Sequence, residues 1–312
     1  MIAFTGLVVS LAVLVVQFGA SQYTPRLVSR FRRDPVVKHA LGIFIAPAIY
    51  ALVSLRIIGR GGSTVVPSLT VGLAVLLLVV AVLVFFVLVS RLLDLLRPRR
   101  VIAQIVEQAT VAIDDVYPFA LGKTPSLDLP PEAPVERVVT HDGAPAVLAA
   151  LDRARLVRAA SVGDVVVEVA AGIGEYLPTG ASLFRIRGEP GGVDVGELRR
   201  SAILEDERTI AQDPAFAIRA IVDTALRALS PAVNDPTTAV QAVDGIESLL
   251  LTLAGRDLRR GRLADADGRL RLIYPTPRWA DLLDLSLDEI RHYGTGSPQI
   301  AQRLTRKSDR LV

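Results

Sequence analysis

The stretch GGSTVVPSLTVGLAVLLLVVAVLVFFVLVS, residues 61–90, carries no charged side chain over thirty consecutive positions. About 20 apolar residues in a helix cross a bilayer core of about 30 Å, because each residue adds about 1.5 Å. A buried helix of a water-soluble protein is rarely so long and so uniformly apolar. The stretch therefore predicts a transmembrane helix at about residues 67–90.

Two more apolar stretches precede this one. Residues 1–25 contain no charged residue, and residues 39–58 are apolar apart from His39 and Arg56, with Pro47 near the middle. Proline is tolerated in a membrane helix when neighbouring helices satisfy the freed carbonyl group. A cleaved signal peptide is the alternative for the first stretch, but the basic residues that should precede its apolar part are missing. We therefore predict three spans, at about residues 2–24, 39–58 and 67–90.

The basic residues around the spans predict their orientation. Five of them lie between the first two spans and four lie at residues 91–100, whereas only Arg56 and Arg60 border the loop before the third span. Cytoplasmic loops are enriched in Arg and Lys, so everything after residue 100 should lie in the cytoplasm and the membrane should be the inner (plasma) membrane. We attribute the net charge of +3 mainly to this bias, because no nucleic-acid-binding motif is present.

The chain after the membrane region 1–100 changes character twice. Residues 101–135 predict a helical exit followed by a proline-rich linker. Residues 136–312 predict a cytoplasmic α+β domain. DVVVEVA at 164–170 and SLFRIRG at 182–188 are expected to be strands of a small sandwich-like element, and a β-hairpin should turn at the Asp-Gly pair 267–268.

The helical core of this domain is predicted between residues 213 and 255. Asp-Pro pairs at 213–214 and 235–236 each provide an N-cap followed by a proline that suits the first helical position. Ser-Pro at 230–231 should end the first helix, and Gly255 should end the second. The segment between them is therefore the turn of an αα-hairpin. Two later helices are expected, from Trp279 to Tyr293 and from Pro298 onward.

Polar residues at helical spacing follow both helices of this hairpin. Four-residue steps connect Arg219, Asp223 and Arg227 on the first helix, and a similar line on the second includes Thr237 and Asp244. If the two lines meet, Asp244 would pair with Arg219 or Arg227. The simpler interpretation is a structural ion network, and the alternative is a site for a small ligand or an ion. The ligand-binding residues under that alternative are Arg208, Gln212, Arg219, Asp223, Arg227, Asn234, Asp235, Thr237, Thr238 and Asp244.

Motifs for catalysis, metals and cofactors are missing from the sequence. The three histidines have no zinc spacing, and the chain has no cysteine. The glycine-rich stretches lack the Gly-Lys-Ser/Thr of a phosphate-binding loop, and there is no Gly-x-Ser-x-Gly elbow. We therefore expect a protein that is not an enzyme and that binds neither a metal nor a cofactor.

Two blocks of sequence resemble a known family. FGASQYTPRLVSRFRRD at 18–34 and ERTIAQDPAFAIRAIVDTALRALSPAVNDPTTAV at 207–240 are similar to the bacterial predicted membrane proteins grouped as domain of unknown function 2254. The resemblance covers nearly the whole chain and implies membrane helices followed by a cytoplasmic domain, but no activity. Against the family pattern, the chain looks shortened by one membrane helix at its start and by further helical sequence at its end.

The run GDVVVEVAAGIGEYLPTGASLFRIRG at 163–188 is similar to half of a biotinyl- or lipoyl-type sandwich. It has no acceptor lysine, so the resemblance implies a scaffold without an attached cofactor.

Two functions fit this organisation. The first is an oligomeric channel or transporter-like subunit, because three helices alone enclose no aqueous path, with the cytoplasmic domain as an assembly or gating module. The second is a membrane-anchored sensing or interaction protein with its ligand site on the 219–244 hairpin. The expected partners are the lipid bilayer and further copies of the chain, and not nucleic acid.

Overall fold

The computed structural model describes residue 10 and residues 35–60, 68–95, 97–122, 134–189, 192–258 and 261–311. The predicted first span lies outside these residues except for Ser10. The chain divides into two compact units, residues 1–101 and 102–312. The described part of the first unit is helical, and the second unit combines helices with two β-sheets. The mixed helix and sheet composition predicted from the sequence is therefore confirmed.

The first unit contains helices α1 (Pro35–Arg60) and α2 (Ser68–Leu95), which pack against each other. The hydroxyl of Tyr50 donates a hydrogen bond to the carbonyl of Thr70 at 3.3 Å. Phe44 on α1 and Leu88 on α2 are buried. Pro47 lies inside α1, as the sequence predicted.

Within the described residues, α2 provides the one helical segment that is long and apolar enough to cross a membrane. Its residues Ser68–Ser90 have a mean hydropathy of 3.4, yet only 11% of the most apolar part of this segment is buried. A core helix of a soluble protein is buried when it is apolar on all sides. The exposed surface of α2 therefore suits lipid. Because α1 contains only a shorter apolar stretch, Gly42–Ile57, the count of three spans stays a prediction.

The remaining helices and strands, in chain order, are α3 (Pro98–Val116), β1 (Val135–Thr140), β2 (Ala146–Leu151), α4 (Arg153–Val162), β3 (Val166–Val169), β4 (Tyr176–Leu177), β5 (Ser182–Arg187), α5 (Val195–Ser201), β6 (Ala202–Glu205), α6 (Pro214–Leu229), α7 (Pro236–Ala254), β7 (Gly261–Ala264), β8 (Leu270–Tyr274), α8 (Trp279–Tyr293) and α9 (Pro298–Leu311).

The two sheets share one hydrophobic core. The five-stranded sheet has the order β1-β5-β3-β8-β7, in which only β3 and β8 are parallel neighbours, and the three-stranded sheet has the order β4-β2-β6. The predicted hairpin is present as β7 and β8, with Leu263 opposite Leu272. Side chains from both sheets and from α4 and α5 enclose the core, among them Leu148, Leu156, Phe184, Leu198 and Leu272.

The αα-hairpin is formed by α6 and α7, and its caps are those that the sequence predicted. The carboxylate of Asp213 accepts a hydrogen bond from the backbone N–H of Phe216 at 2.9 Å, and that of Asp235 accepts one from Thr238 at 3.1 Å. Ser230 caps the end of α6 and Gly255 caps the end of α7. The carboxylates of Asp213 and Asp235 thereby satisfy N–H groups that a helix start leaves unpaired.

The hairpin lies at the centre of the helical layer of the second unit. α6 packs against α7 and α8, and α7 also packs against α9. α3 approaches α7 closely, because a Cβ atom on Gly245 would lie only 2.6 Å from Cγ2 of Ile102. The helices bury aliphatic side chains at helical spacing, such as Ile105, Ile221 and Leu249.

Candidate functional site

A cavity of about 220 Å³, partly open to solvent, lies in the second unit where the end of α3 meets the start of α6 and the segment after β8. This volume corresponds to about seven water molecules at about 30 Å³ each. It is therefore of a size for a small organic molecule, somewhat below the usual range for drug-sized ligands. The wall is formed by residues 116–117, 151, 153, 172–173, 212–214 and 274–277.

Two buried tyrosines provide hydroxyl groups at this cavity. Tyr117 follows the last residue of α3 and is 2% exposed, and Tyr274 ends β8 and is 7% exposed. Within the described part of the chain, neither hydroxyl has a hydrogen-bond partner. Buried tyrosine hydroxyls normally have one. Since both residues line the cavity, their unused hydrogen-bonding capacity is available to a molecule inside it.

Burial is the main cause that raises the pKa of Tyr117 above its ordinary value, and the neighbouring Tyr274 and Asp213 raise it further. A phenol with a raised pKa remains protonated at physiological pH. Tyr117 is therefore a permanent hydrogen-bond donor at the cavity wall.

Asp213 contributes a buried carboxylate to the same wall. Burial raises its pKa, whereas the ion pair with Arg208 and the N–H of Phe216 oppose that rise. Nε and Nη2 of Arg208 donate to one carboxylate oxygen at 3.0 and 2.7 Å, and the Arg208 guanidinium also lies over the Phe216 ring at 5.0 Å from its centre. The charge of Asp213 is therefore compensated within the protein.

Gly174 lets the loop between β3 and β4 lie against this ion pair. Its φ of 86° lies in the left-handed region, and a Cβ atom there would come within 2.6 Å of Nε of Arg208. Its N–H donates to the carbonyl of Leu148 at 2.8 Å, which fixes the loop to β2. A glycine is needed here because any side chain would meet both the strained backbone and the ion pair.

Gln212 and Arg153 complete the polar part of the wall. The amide oxygen of Gln212 accepts from the N–H of Leu151 at 3.0 Å, and its amide nitrogen donates to the Leu151 carbonyl at 3.2 Å. Gln212 therefore pairs with the end of β2 as a strand would. Arg153 donates to the carbonyl of Asp115 at 3.0 Å and also pairs with the Asp115 carboxylate.

The ten residues of the predicted site do not lie together in the structure. Gln212 lines the cavity and Arg208 holds Asp213, which lines it. The residues of the polar stripe instead connect helices. Nε of Arg219 lies 2.7 Å from the carboxylate of Asp223, and a second nitrogen of Arg219 donates to Glu289 on α8 at 3.2 Å.

One partner of Asp244 lies outside the hairpin. We expected Arg219 or Arg227 opposite this carboxylate, and Nε of Arg303 on α9 donates to it at 2.6 Å. Arg227 lies in the last turn of α6, where a positive charge suits the carbonyl end of the helix. Arg219 therefore connects α6 to α8, and Asp244 connects α7 to α9.

The four predicted residues at the hairpin turn serve its geometry. Asn234 has a φ of 47°, a left-handed conformation that asparagine tolerates better than most residues. The Asp235 carboxylate accepts hydrogen bonds from the backbone N–H of Thr238 and from the hydroxyl of the same residue, the latter at 2.5 Å. Thr237 is exposed in the first turn of α7. The Asp235 carboxylate occupies the position at the helix start that an anion would need.

Sequence reasoning missed Tyr117, Tyr274 and Arg153 as site residues. The available signal was a repeated dipeptide, since both tyrosines precede a proline, at 117–118 and 274–275. A proline restricts the residue before it to extended conformations, so each pair ends a helix or a strand. Nothing in the sequence indicated that the two ends meet at one cavity, because 156 residues lie between them.

The fold and the cavity define a chain in which an exposed apolar helix precedes a mixed helix and sheet unit with an internal site. Comparison with known families gives a more specific classification of the chain. Residues 1–308 match the family described as predicted membrane protein, DUF2254, and the chain belongs to that family.

Its relatives carry no activity that can be transferred. The chain is 30% identical to an uncharacterized protein of Mycobacterium bovis (strain ATCC BAA-935 / AF2122/97) over an alignment of 317 positions, which covers 97% of this chain and 60% of the relative. The same values hold for an uncharacterized protein of Mycobacterium tuberculosis (strain ATCC 25618 / H37Rv). The chain thus spans about 60% of the length of these relatives. No solved structure matches it.

Proposed function

We propose that this chain is a membrane-anchored sensing protein, without enzymatic activity, whose second unit binds a small molecule in the cavity. The observation that carries the proposal is the pair of buried residues Tyr117 and Tyr274, which line the cavity and whose hydroxyls have no hydrogen-bond partner among the described residues. The proposed ligand site therefore moves from the 219–244 hairpin to the cavity beside its first cap, Asp213.

The membrane arrangement in this proposal has three spans in the inner membrane, with the second unit in the cytoplasm. The exposed apolar surface of α2 and the arginines at residues 91–100 support it. Because the chain has no native cysteine, single cysteines at Gly62 and Gly296 test the orientation. A membrane-impermeant thiol reagent should label Gly62→Cys in intact cells and Gly296→Cys only after lysis. Labelling of both in intact cells would contradict the arrangement.

An oligomeric channel or transporter-like subunit is the second candidate. Its support is the exposed side of α2, where large side chains such as Leu76 and Leu83 can contact other copies of the chain as well as lipid. Mass measurement of the detergent-solubilised chain separates the candidates. A channel requires a homo-oligomer, whereas a sensing protein also functions as a monomer.

The ligand-binding proposal is tested with a library of small fragments and the full chain in detergent. A fragment at ten times its Kd should stabilise the folded chain by about 1.4 kcal/mol, and thermal unfolding measures this effect. Gly172 lines the cavity and has no contact closer than 3.8 Å to the position of an added Cβ. Gly172→Leu should therefore reduce the space for ligand and abolish the stabilisation.

Gly296→Leu is the matched control. Gly296 lies in the turn before α9, away from the cavity wall, and no atom is within 4 Å of an added Cβ. This variant should keep the fragment effect. The proposal fails if no fragment stabilises the wild type, or if the stabilising fragments act equally on Gly172→Leu.

A further inference from the structure

The cavity offers a particular chemistry, and we infer that its ligand is a small uncharged molecule with a hydrogen-bond acceptor, such as a carbonyl or amide oxygen, on an apolar body. This inference rests on the proposed function, since it assigns a ligand class to the same cavity. Three features of the wall lead to it.

The first feature is the pair of donors. The hydroxyls of Tyr117 and Tyr274 each have a proton to donate, and Tyr117 keeps its proton because burial and its neighbours raise its pKa. Both residues are more than nine-tenths buried, while their hydroxyl oxygens stay accessible from the cavity. A carbonyl oxygen can accept a hydrogen bond from such a hydroxyl through either of its two lone pairs.

The second feature is the balance of charge. The carboxylate of Asp213 is paired with Arg208, and the guanidinium of Arg153 is paired with Asp115. A ligand ammonium would find a carboxylate that already accepts hydrogen bonds from Arg208 and from the N–H of Phe216. A ligand carboxylate would find the guanidinium of Arg153 already paired with Asp115. An isolated charge buried in such a site carries a large desolvation cost, so an uncharged ligand is favoured.

The third feature is the apolar remainder of the wall. Val116, Ile173, Pro214 and Pro277 present hydrocarbon to the cavity. Contact with these groups favours a ligand whose body is itself apolar, because that surface is removed from water. The volume of about 220 Å³ limits this body to a ring or a short chain.

Three probes of similar shape test the charge requirement: benzamide, benzoate and benzylammonium. The single tryptophan of the chain, Trp279, lies two residues after Pro277 in the cavity wall, so its fluorescence can report binding to the full chain in detergent. Benzamide should bind more than about tenfold more tightly than either ion, since only the ions must be desolvated without a free partner. Tighter binding of benzoate or benzylammonium, or no binding of benzamide, overturns the inference.

Tyr117→Phe and Tyr274→Phe test the two donors. Each removes one hydroxyl and keeps the ring, and each should weaken benzamide binding by about 2- to 10-fold, the usual range for one hydrogen bond between uncharged groups. Tyr293→Phe is the control, because Tyr293 is 63% exposed and lies outside the cavity wall. It should leave the affinity unchanged. Thermal unfolding without ligand checks that each variant is folded.

The outcomes separate this inference from the proposed function. Unchanged benzamide affinity in both tyrosine variants overturns the role of the hydroxyls. If Gly172→Leu still abolishes fragment binding in that case, the cavity remains a ligand site and only the ligand class is wrong. If Gly172→Leu has no effect on any bound fragment, the cavity is not the site and both proposals fail.

Discussion

Helices α2 and α7 are both rich in aliphatic residues, but they use them in opposite ways. α7 buries Ile246, Leu249 and Leu253 and carries polar residues such as Asp244 on its other side. α2 has no comparable polar side between Ser68 and Ser90, and large residues such as Leu76 and Leu83 are more than half exposed. A helix with one apolar stripe packs against protein, whereas a helix that is apolar all round must be surrounded by apolar material. For α2 we propose that this material is lipid.

The strongest test of this difference is to shorten a leucine to alanine in each helix. Leu249→Ala leaves a cavity in a fully buried part of α7, so we expect a loss of about 2–5 kcal/mol in the free energy of unfolding of the second unit. Leu83→Ala on α2 should change the free energy of unfolding of the first unit little, because Leu83 is 61% exposed. Denaturant titration measures both, followed by Trp279 fluorescence for the second unit and by circular dichroism for the helices of the first unit. Equal losses would contradict the difference between the helices.

An introduced charge should have a larger effect in α2 than in α7, the reverse of the truncation to alanine. Leu83→Arg places a guanidinium on the exposed side of α2, which costs about 2.5–3.5 kcal/mol near the centre of a helix that spans a membrane. We expect less chain in the membrane fraction, measured by immunoblot. Leu251→Arg on α7 is the control, since Leu251 is also half exposed but belongs to the second unit. If both variants insert like the wild type, α2 is not in contact with lipid.

Glycines in the two regions should also respond differently. In Gly245→Ala the new methyl group meets Ile102 at 2.6 Å, so α3 and α7 must move apart at a cost of about 1–3 kcal/mol. Gly72 in α2 has no atom within 4 Å of an added Cβ. Gly72→Ala should therefore be neutral or slightly stabilising, as for a helical glycine without close neighbours. Thermal unfolding of both variants measures the contrast, and a destabilised Gly72→Ala would refute it.

The smallest effects concern two carboxylates of the second unit, whose pKa values shift in opposite directions. The side-chain hydrogen bond from Arg219 lowers the pKa of Glu289 from its ordinary value of 4.5, so the stability from Glu289 is present above that value and is lost as the pH falls through the lowered pKa. Burial raises the pKa of Asp213 from 3.8, so its contribution is present below pH 3.8 and is lost as the pH rises through the raised pKa.

Glu289→Gln and Asp213→Asn test these signs. With rising pH, the stability of the wild type relative to Glu289→Gln should increase, whereas its stability relative to Asp213→Asn should decrease. Denaturant titrations between pH 3 and pH 7 at constant ionic strength measure both differences. The same slope for the two variants would contradict the assignment, because it would mean that Asp213 behaves like an ordinary paired carboxylate.

Features that depend on neighbouring residues were predicted well from the sequence. The caps at Asp213 and Asp235, the helix ends at Ser230 and Gly255 and the turn at the Asp-Gly pair 267–268 are each decided by groups within a few residues. Strands β1, β2 and β6 and helix α4 were not predicted. Their segments carry weaker patterns than β3 and β5, and partners far along the chain stabilise them, such as β6 for β2.

The sequence by itself determined that one helix is too apolar for water and where the helices of the hairpin begin and end, because composition and caps act locally. Only the tertiary structure decided that Tyr117 and Tyr274 meet at one cavity, that Arg208 neutralises Asp213 there, and that Asp244 pairs with Arg303. These contacts depend on how α3, α6, α9 and β8 pack against each other. Packing brings together residues that are far apart along the chain, and no local sequence pattern predicts which ones meet.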